Sequence, residues 1–118
     1  MSKQKYIAKA IAWARMKAPS SLKAITDEYE NPKSFVNQAT DEVVQPDITF
    51  KTVTGQQHFT EIVLKSDAVQ KQVTKWKLLA TLAQMKLGKL HLLAPKGYKM
   101  HAQRLVNRYN IPAVVHSL

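Results

Sequence analysis

The 118 residues, 45% hydrophobic and 22% charged, suit one compact domain spanning 1–118 and exclude wholesale disorder. The absence of cysteine excludes a disulfide scaffold, a thiolate metal site and a cysteine nucleophile, and no apolar run approaches the ~20 residues of a membrane helix. Eighteen Lys and Arg against eight Asp and Glu give a formal charge of +10, which points to a polyanionic partner, either nucleic acid or an anionic membrane face.

Ile7, Ala10, Ile11 and Ala14 recur at helical spacing, so 3–17 reads as an amphipathic helix with Lys and Arg outside, and 1–19 as a basic N-terminal segment. That segment lacks the uninterrupted apolar run of a secretory signal, and the expected location is cytoplasmic. Pro19 interrupts the helix, and Ser20 is placed to cap a second, short one over 21–30 that ends at Asn31-Pro32. Phe35 and Val36 suit a short strand.

Residues 42–65 read as a β-hairpin. Ile48 and Phe50 alternate with polar neighbours on one arm, Thr60, Ile62 and Leu64 occupy alternate positions on the other, and Thr54-Gly55 makes the turn. Asp67 is placed to cap the longest helix, about 67–87, whose apolar stripe is Val69, Val73, Trp76, Ala80, Ala83 and Leu87, with Gly88 as terminal cap. Leu90–Ala94 is a continuous apolar run of strand length, which implies burial on both faces. A helix over 98–109 and a strand over 112–116 complete the chain. The order predicts an α/β fold, a mixed sheet flanked by helices, with parallel pairing in its second half.

The charges are segregated. Six acids fall between positions 27 and 47, whereas eleven basic residues and only Glu61 and Asp67 follow position 48. Asp47 enters one hairpin arm and Glu61 lies on the next; depending on turn register they share a sheet face, opposite or diagonal to each other. Two neighbouring carboxylates repel unless a cation sits between them, and Mg²⁺ is commonly held by one or two carboxylates. A nearby lysine would activate water or offset phosphate charge. Lys65 shares the strand face of Glu61, and Lys71, Lys75 and Lys77 line the polar side of the long helix.

Pro46-Asp47, a turn, Glu61-Ile62-Val63-Leu64-Lys65 and then a lysine-rich helix resemble the PD-(D/E)XK nuclease superfamily. Gln72-Val73-Thr74-Lys75-Trp76 resembles the Gln-x-x-x-Tyr motif of RecB-like members, with Trp in the Tyr position. The resemblance, over about 20–118, implies a restriction-endonuclease-like core of order α-β-β-β-α-β plus a C-terminal helix and strand. It implies Asp47 and Glu61 as ligands of Mg²⁺ or Mn²⁺, Gln72 as a support for substrate or site, and an acid such as Glu28 or Glu30 completing the centre. The family's lysine normally follows the acid by two positions, where this chain has Val63. Lys65, about 13 Å along an extended strand, or a lysine moved to the helix, Lys71 or Lys75, is then the water-activating group.

The expected activity is phosphodiester hydrolysis in nucleic acid, DNA in the first instance, with Lys71, Lys75, Lys96 and Lys99 contacting the backbone. A homodimer would present two such centres to a duplex. The other reading is a catalytically inactive binding or assembly module on the same fold, supported by Val63. Plainer roles exist for each part: Asp47 as a strand-entry residue, Glu61 paired with Lys51 across the hairpin, Val73 and Trp76 as core, and His91 as a hydrogen-bonded core histidine. A third reading, binding to an anionic membrane through Lys3, Lys5 and Lys9 of the first helix, requires no insertion.

Overall fold

The computed structural model describes residues 3–118. A 3-10 turn at Lys3–Lys5 leads into α1 (Ile7–Arg15), followed by β1 (Ser21–Ala24), β2 (Phe35–Val36), β3 (Val43–Val44), β4 (Ile48–Lys51) and β5 (Gln57–Ile62). Then come α2 (Val69–Met85), β6 (Leu90–Ala94), α3 (Lys99–Arg108) and β7 (Ala113–Ser117). Five strands form a mixed sheet in the order β1-β4-β5-β6-β7, while β2 and β3 make a separate antiparallel pair. The first two ladders of the sheet are antiparallel and the last two parallel, as the alternation of strand and helix in the second half predicts.

The strands sort their side chains onto two faces. Ile48, Phe50, Ile62 and Leu93 pack with Ile7, Ala10 and Ala14 of α1. Phe59, Val63, Leu90 and Leu92 pack on the other face with Val73, Trp76, Leu79 and Ala83 of α2 and Ala102, Leu105 and Val106 of α3. Every residue of β6 is buried, the consequence of helices on both sides.

The segment over 21–30 is not a helix. Ser21–Ala24 instead forms the edge strand β1, pairing Leu22 with Phe50 and Ala24 with Ile48. Rather than capping a helix, Ser20 donates its hydroxyl toward the carbonyls of Lys51 and Thr52, at 3.1 and 3.2 Å. The open side of β4 offered ladder hydrogen bonds, and although Leu22, Ile25 and Tyr29 stand at helical spacing, ten residues are too few to hold a helix without tertiary support. Asp67 does not cap α2 either: the first turn has no side-chain cap, and Ser66 Oγ instead accepts a hydrogen bond from the Ala68 amide at 3.0 Å.

The end of α2 is also built differently from its sequence pattern. The left-handed residue is Leu87, with φ 63°, and not Gly88. Leu87 N–H donates to Gln84 O and Gly88 N–H to Ala83 O, at 3.1 and 2.9 Å, the paired bonds of a Schellman motif. Gly88 is needed for space: a Cβ there would stand 1.8 Å from the carbonyl oxygen of Gln57. The α2–β6 turn thus docks backbone to backbone on β5.

On the α1 face, three histidines from neighbouring strands form a file, His58 Nδ1 to His91 Nε2 at 3.1 Å and His91 Nδ1 to His116 Nε2 at 3.0 Å. The Lys89 amide donates to His58 Nδ1 at 3.2 Å, so that nitrogen is an acceptor. His91 Nε2 must then donate to it, and a neutral His91 accepts at Nδ1 from His116 Nε2–H. Trp13 of α1 lies against His91 and His116, with ring centroids 5.1 and 4.9 Å away. Burial first, then neighbouring His116 and His58 and the charges of Lys17 and Lys89, hold the pKa of His91 down at about 3. It is the hydrogen-bonded core histidine that its place in an apolar run predicts.

Candidate functional site

The β4–β5 register brings Asp47 and Glu61 together. Ile48 lies opposite Thr60, and one step further Asp47 faces Glu61. Asp47 Oδ2 accepts a hydrogen bond from the Ile62 amide at 2.8 Å, which ends the ladder with a side chain and holds the carboxylate in place. Both acids are buried, 3% and 1% exposed, so each requires compensation for lost hydration. Alternation along β5 puts Glu61 on the face of Phe59 and Val63, beneath α2.

Compensation comes from two lysines. Lys3 Nζ stands 3.0 Å from Asp47 Oδ2 and 2.9 Å from Glu61 Oε2, one ammonium shared by both acids. Lys75 Nζ of α2 is 3.1 Å from Glu61 Oε1. That approach is close enough for an ion pair but off the hydrogen-bonding line, and Glu61 Oε1 accepts no hydrogen bond from the described residues. Burial pushes the Glu61 carboxyl above the usual range and the Asp47 charge adds to this, while Lys3 and Lys75 pull it back. Burial alone would lower the Lys3 pKa, but attraction to Glu61 and Asp47 outweighs it, and the net shift is upward. Lys3 is therefore a fixed positive charge and not a proton acceptor at neutral pH.

Glu61 opens onto a cleft of about 340 Å³ whose wall also includes Lys3, Lys71, Gln72, Lys75 and Trp76. Val44 of β3 and Gln45, which follows it, also line the cleft. Asp47 does not reach this wall; it sits behind Glu61 and Lys3. Gln72 braces the cleft. Its Nε2 donates to Leu64 O at 2.8 Å, and its Oε1 accepts from His101 Nε2 of α3 at 3.2 Å, tying the end of β5 to both helices.

Of the residues singled out from sequence, Asp47, Glu61, Gln72 and Lys75 converge, and Lys71 lines the cleft from its rim. Lys65 does not join them: β5 ends at Ile62, the strand alternation lapses, and Lys65 is exposed with its charge felt at His101. Lys96 and Lys99, at the end of β6 and the start of α3, are exposed and line no part of the cleft. Glu28 and Glu30 do not complete the centre: Glu30 pairs with Lys23 at 3.9 Å, and Glu28 borders a separate hollow beside Ile7 and Ile11 of α1. Among the described residues, no group of three or more His, Asp or Glu is arranged around a metal position.

Two residues of the site escaped sequence reasoning. Lys3 was one of several N-terminal lysines, and nothing in a helical pattern says where the residues before it land. His101 had no partner in its own segment, and its bond to Gln72 crosses 29 positions. No family model, curated protein or solved structure matches this chain.

Proposed function

We propose that this chain is a small nuclease-like domain of the PD-(D/E)XK type that binds nucleic acid, DNA in the first instance, and hydrolyses its phosphodiester bonds with Mg²⁺ or Mn²⁺. The observation that carries the reading is a buried Asp47–Glu61 pair, Glu61 at the base of a lysine-walled cleft and Asp47 directly behind it, in a chain of formal charge +10. Carboxylate oxygens are the donors hard divalent cations prefer, and two of them suffice for Mg²⁺, which keeps several waters and takes the rest of its shell from substrate. Glu61 Oε1, buried, without an assigned hydrogen bond and ion-paired only with Lys75 at 3.1 Å among the described residues, is a donor of that kind. A cation held by Asp47 and Glu61 would supply Lewis acidity toward a phosphoryl oxygen.

The protein's own groups supply the rest. Lys75, 27% exposed and facing the cleft, offsets the charge of a phosphate entering there. Gln72 holds the floor of the cleft against α3, and Lys71 meets the backbone at the rim. Asp47 and Glu61 would hold the divalent cation in the gap that the Lys3 ammonium bridges, so Lys3 would have to yield that position, since both charges cannot share it.

The Lys3 bridge also favours a second reading, in which an ammonium permanently replaces the metal and the domain binds without cutting. Val63, in the position of the family's lysine, points the same way. The test is cleavage of plasmid and single-stranded DNA with Mg²⁺ or Mn²⁺ by wild type, Asp47→Ala and Lys3→Met. Cleavage by wild type that Asp47→Ala abolishes supports hydrolysis at this site. Equal cleavage by both removes the site, and binding without cleavage by any of the three establishes the second reading.

A further inference from the structure

A further hollow lies on the same sheet face as the two acids, about 220 Å³ in volume and walled by Lys23 of β1, Lys51 of β4 and Lys33 of the chain before β2. Ser21, Thr49 and Gln57 add hydroxyl and amide groups to its wall. We propose that this hollow holds backbone phosphate of a nucleic-acid strand, as an anchoring subsite separate from the cleft. The inference rests on the nucleic-acid reading above, but not on hydrolysis.

The alternation of β4 puts Asp47, Thr49 and Lys51 on one face, and that of β5 puts Glu61, Phe59 and Gln57 on the same face, since Thr49 lies opposite Phe59 and Lys51 opposite Gln57. The acids stand at one end of these two strands and Lys51 at the other, about 13 Å away at ~3.3 Å per residue. Along the axis of a B-form duplex that distance equals the rise of about four base pairs. Phe35 of β2 rests on Phe59 midway, ring centroids 5.7 Å apart, so the β2–β3 pair straddles the path between hollow and cleft.

The three lysines come from three segments and meet with little negative charge. Glu30 pairs loosely with Lys23 at 3.9 Å and is itself 78% exposed. Lys33 and Lys51 have no ion-pair partner among the described residues; the Lys33 ammonium lies 5.9 Å over the ring of Phe35. Lysine on an edge strand also discourages strand pairing between molecules. That role requires charge along the edge of β1, whereas here two of the three cations come from elsewhere and converge on β1 over one concavity. Hydroxyl and amide donors beside three ammonium groups match the tetrahedral oxygens of phosphate.

The test is binding of the full chain to a 20-base-pair DNA duplex in EDTA, where no cutting occurs, followed from 50 to 200 mM salt. The hollow variant replaces Lys23, Lys33 and Lys51 with Gln; the control replaces Lys9, Lys77 and Arg108 on α1, α2 and α3, so each removes three positive charges. The hollow variant is expected to lower the slope of log affinity against log salt by about two to three, the control by less than about one. Lys33→Gln alone, at an exposed loop position, is expected to lower it by about one and guards against misfolding of the triple variant. Equal losses from both triples, no loss from the hollow variant, or no binding by wild type at low salt would each overturn the proposal. Absent cleavage with binding and slope change intact would defeat only hydrolysis.

Discussion

Lys3 and Glu61, 58 positions apart in sequence, meet at 2.9 Å beneath α2, and the same ammonium reaches Asp47 at 3.0 Å. A single flexible side chain from the first described residues thus bridges both acids of the hairpin, with Lys75 supplying the second positive charge. Its side chain is 31% exposed while the acids are buried, so the cation is the accessible and replaceable member of the cluster.

Removing that cation is expected to cost stability. Breaking a buried ion pair by deleting one partner costs about 3–5 kcal/mol; with Lys3 partly exposed and Lys75 still in place, Lys3→Met is expected to cost about 1–3 kcal/mol. Under the metal-binding reading, 5 mM Mg²⁺ should raise the melting temperature of Lys3→Met more than that of wild type. Thermal unfolding with and without Mg²⁺ checks both, and a variant indifferent to Mg²⁺ would speak against cation binding at Asp47 and Glu61.

The two candidate lysines are separable by kinetics. Lys75→Met is expected to reduce any Mg²⁺-dependent cleavage at least about 100-fold, the scale of losing one group that stabilises transition-state charge. Lys65→Met, at an exposed position outside the cleft, should stay within about twofold of wild type, because solvent and salt screen its charge. A larger loss from Lys65→Met than from Lys75→Met would reverse the assignment.

Stability should fall as acid is added below neutrality. Burial is the leading cause that lowers the pKa of His58, His91, His101 and His116, so the unfolded chain binds protons near pH 6.5 that the folded chain refuses. Their stabilising contribution is complete above pH 6.5 and is lost on descent toward the folded values, about 3 for His91. Glu61 acts in the opposite sense: its raised pKa means that stability is gained as pH falls through the folded value toward 4.5. Four histidines outweigh one carboxyl, and the melting temperature is expected to drop between pH 7 and 5. His91→Gln should flatten this profile by up to roughly 1 kcal/mol per pH unit. An unchanged slope would remove His91 as a contributor.

The α2 terminus yields a paired prediction of opposite signs. Leu87 adopts φ 63° with its side chain 78% exposed, so Leu87→Gly relieves backbone strain and sacrifices little packing. A gain of about 0.5–1 kcal/mol in chemical denaturation is expected. Gly88→Ala drives a methyl into the Gln57 carbonyl and should cost at least about 2 kcal/mol, because backbone on both sides must shift. Equal effects at the two positions would contradict the geometry of the turn.

Much of the architecture was legible before any coordinates. Thr54-Gly55, flanked by alternating apolar positions, specified the hairpin, while the register that places Asp47 across from Glu61 was left open between opposite and diagonal and was settled by the folded sheet. The stripe from Val69 to Ala83 specified α2 and therefore put Lys75 and Gln72 one turn apart, and the all-apolar run of β6 specified a central strand. These features are written locally, in periods of two and 3.6 residues and in turn chemistry. What only the tertiary structure decided depends on where distant segments arrive. Residues 21–24 became a strand because β4 had an unpaired edge, and Lys65 left the site because β5 stopped at Ile62. Lys3 entered the acid pair because α1 packs across the sheet with its N-terminal end beside β4 and β5, and burial then made two carboxylates depend on that charge.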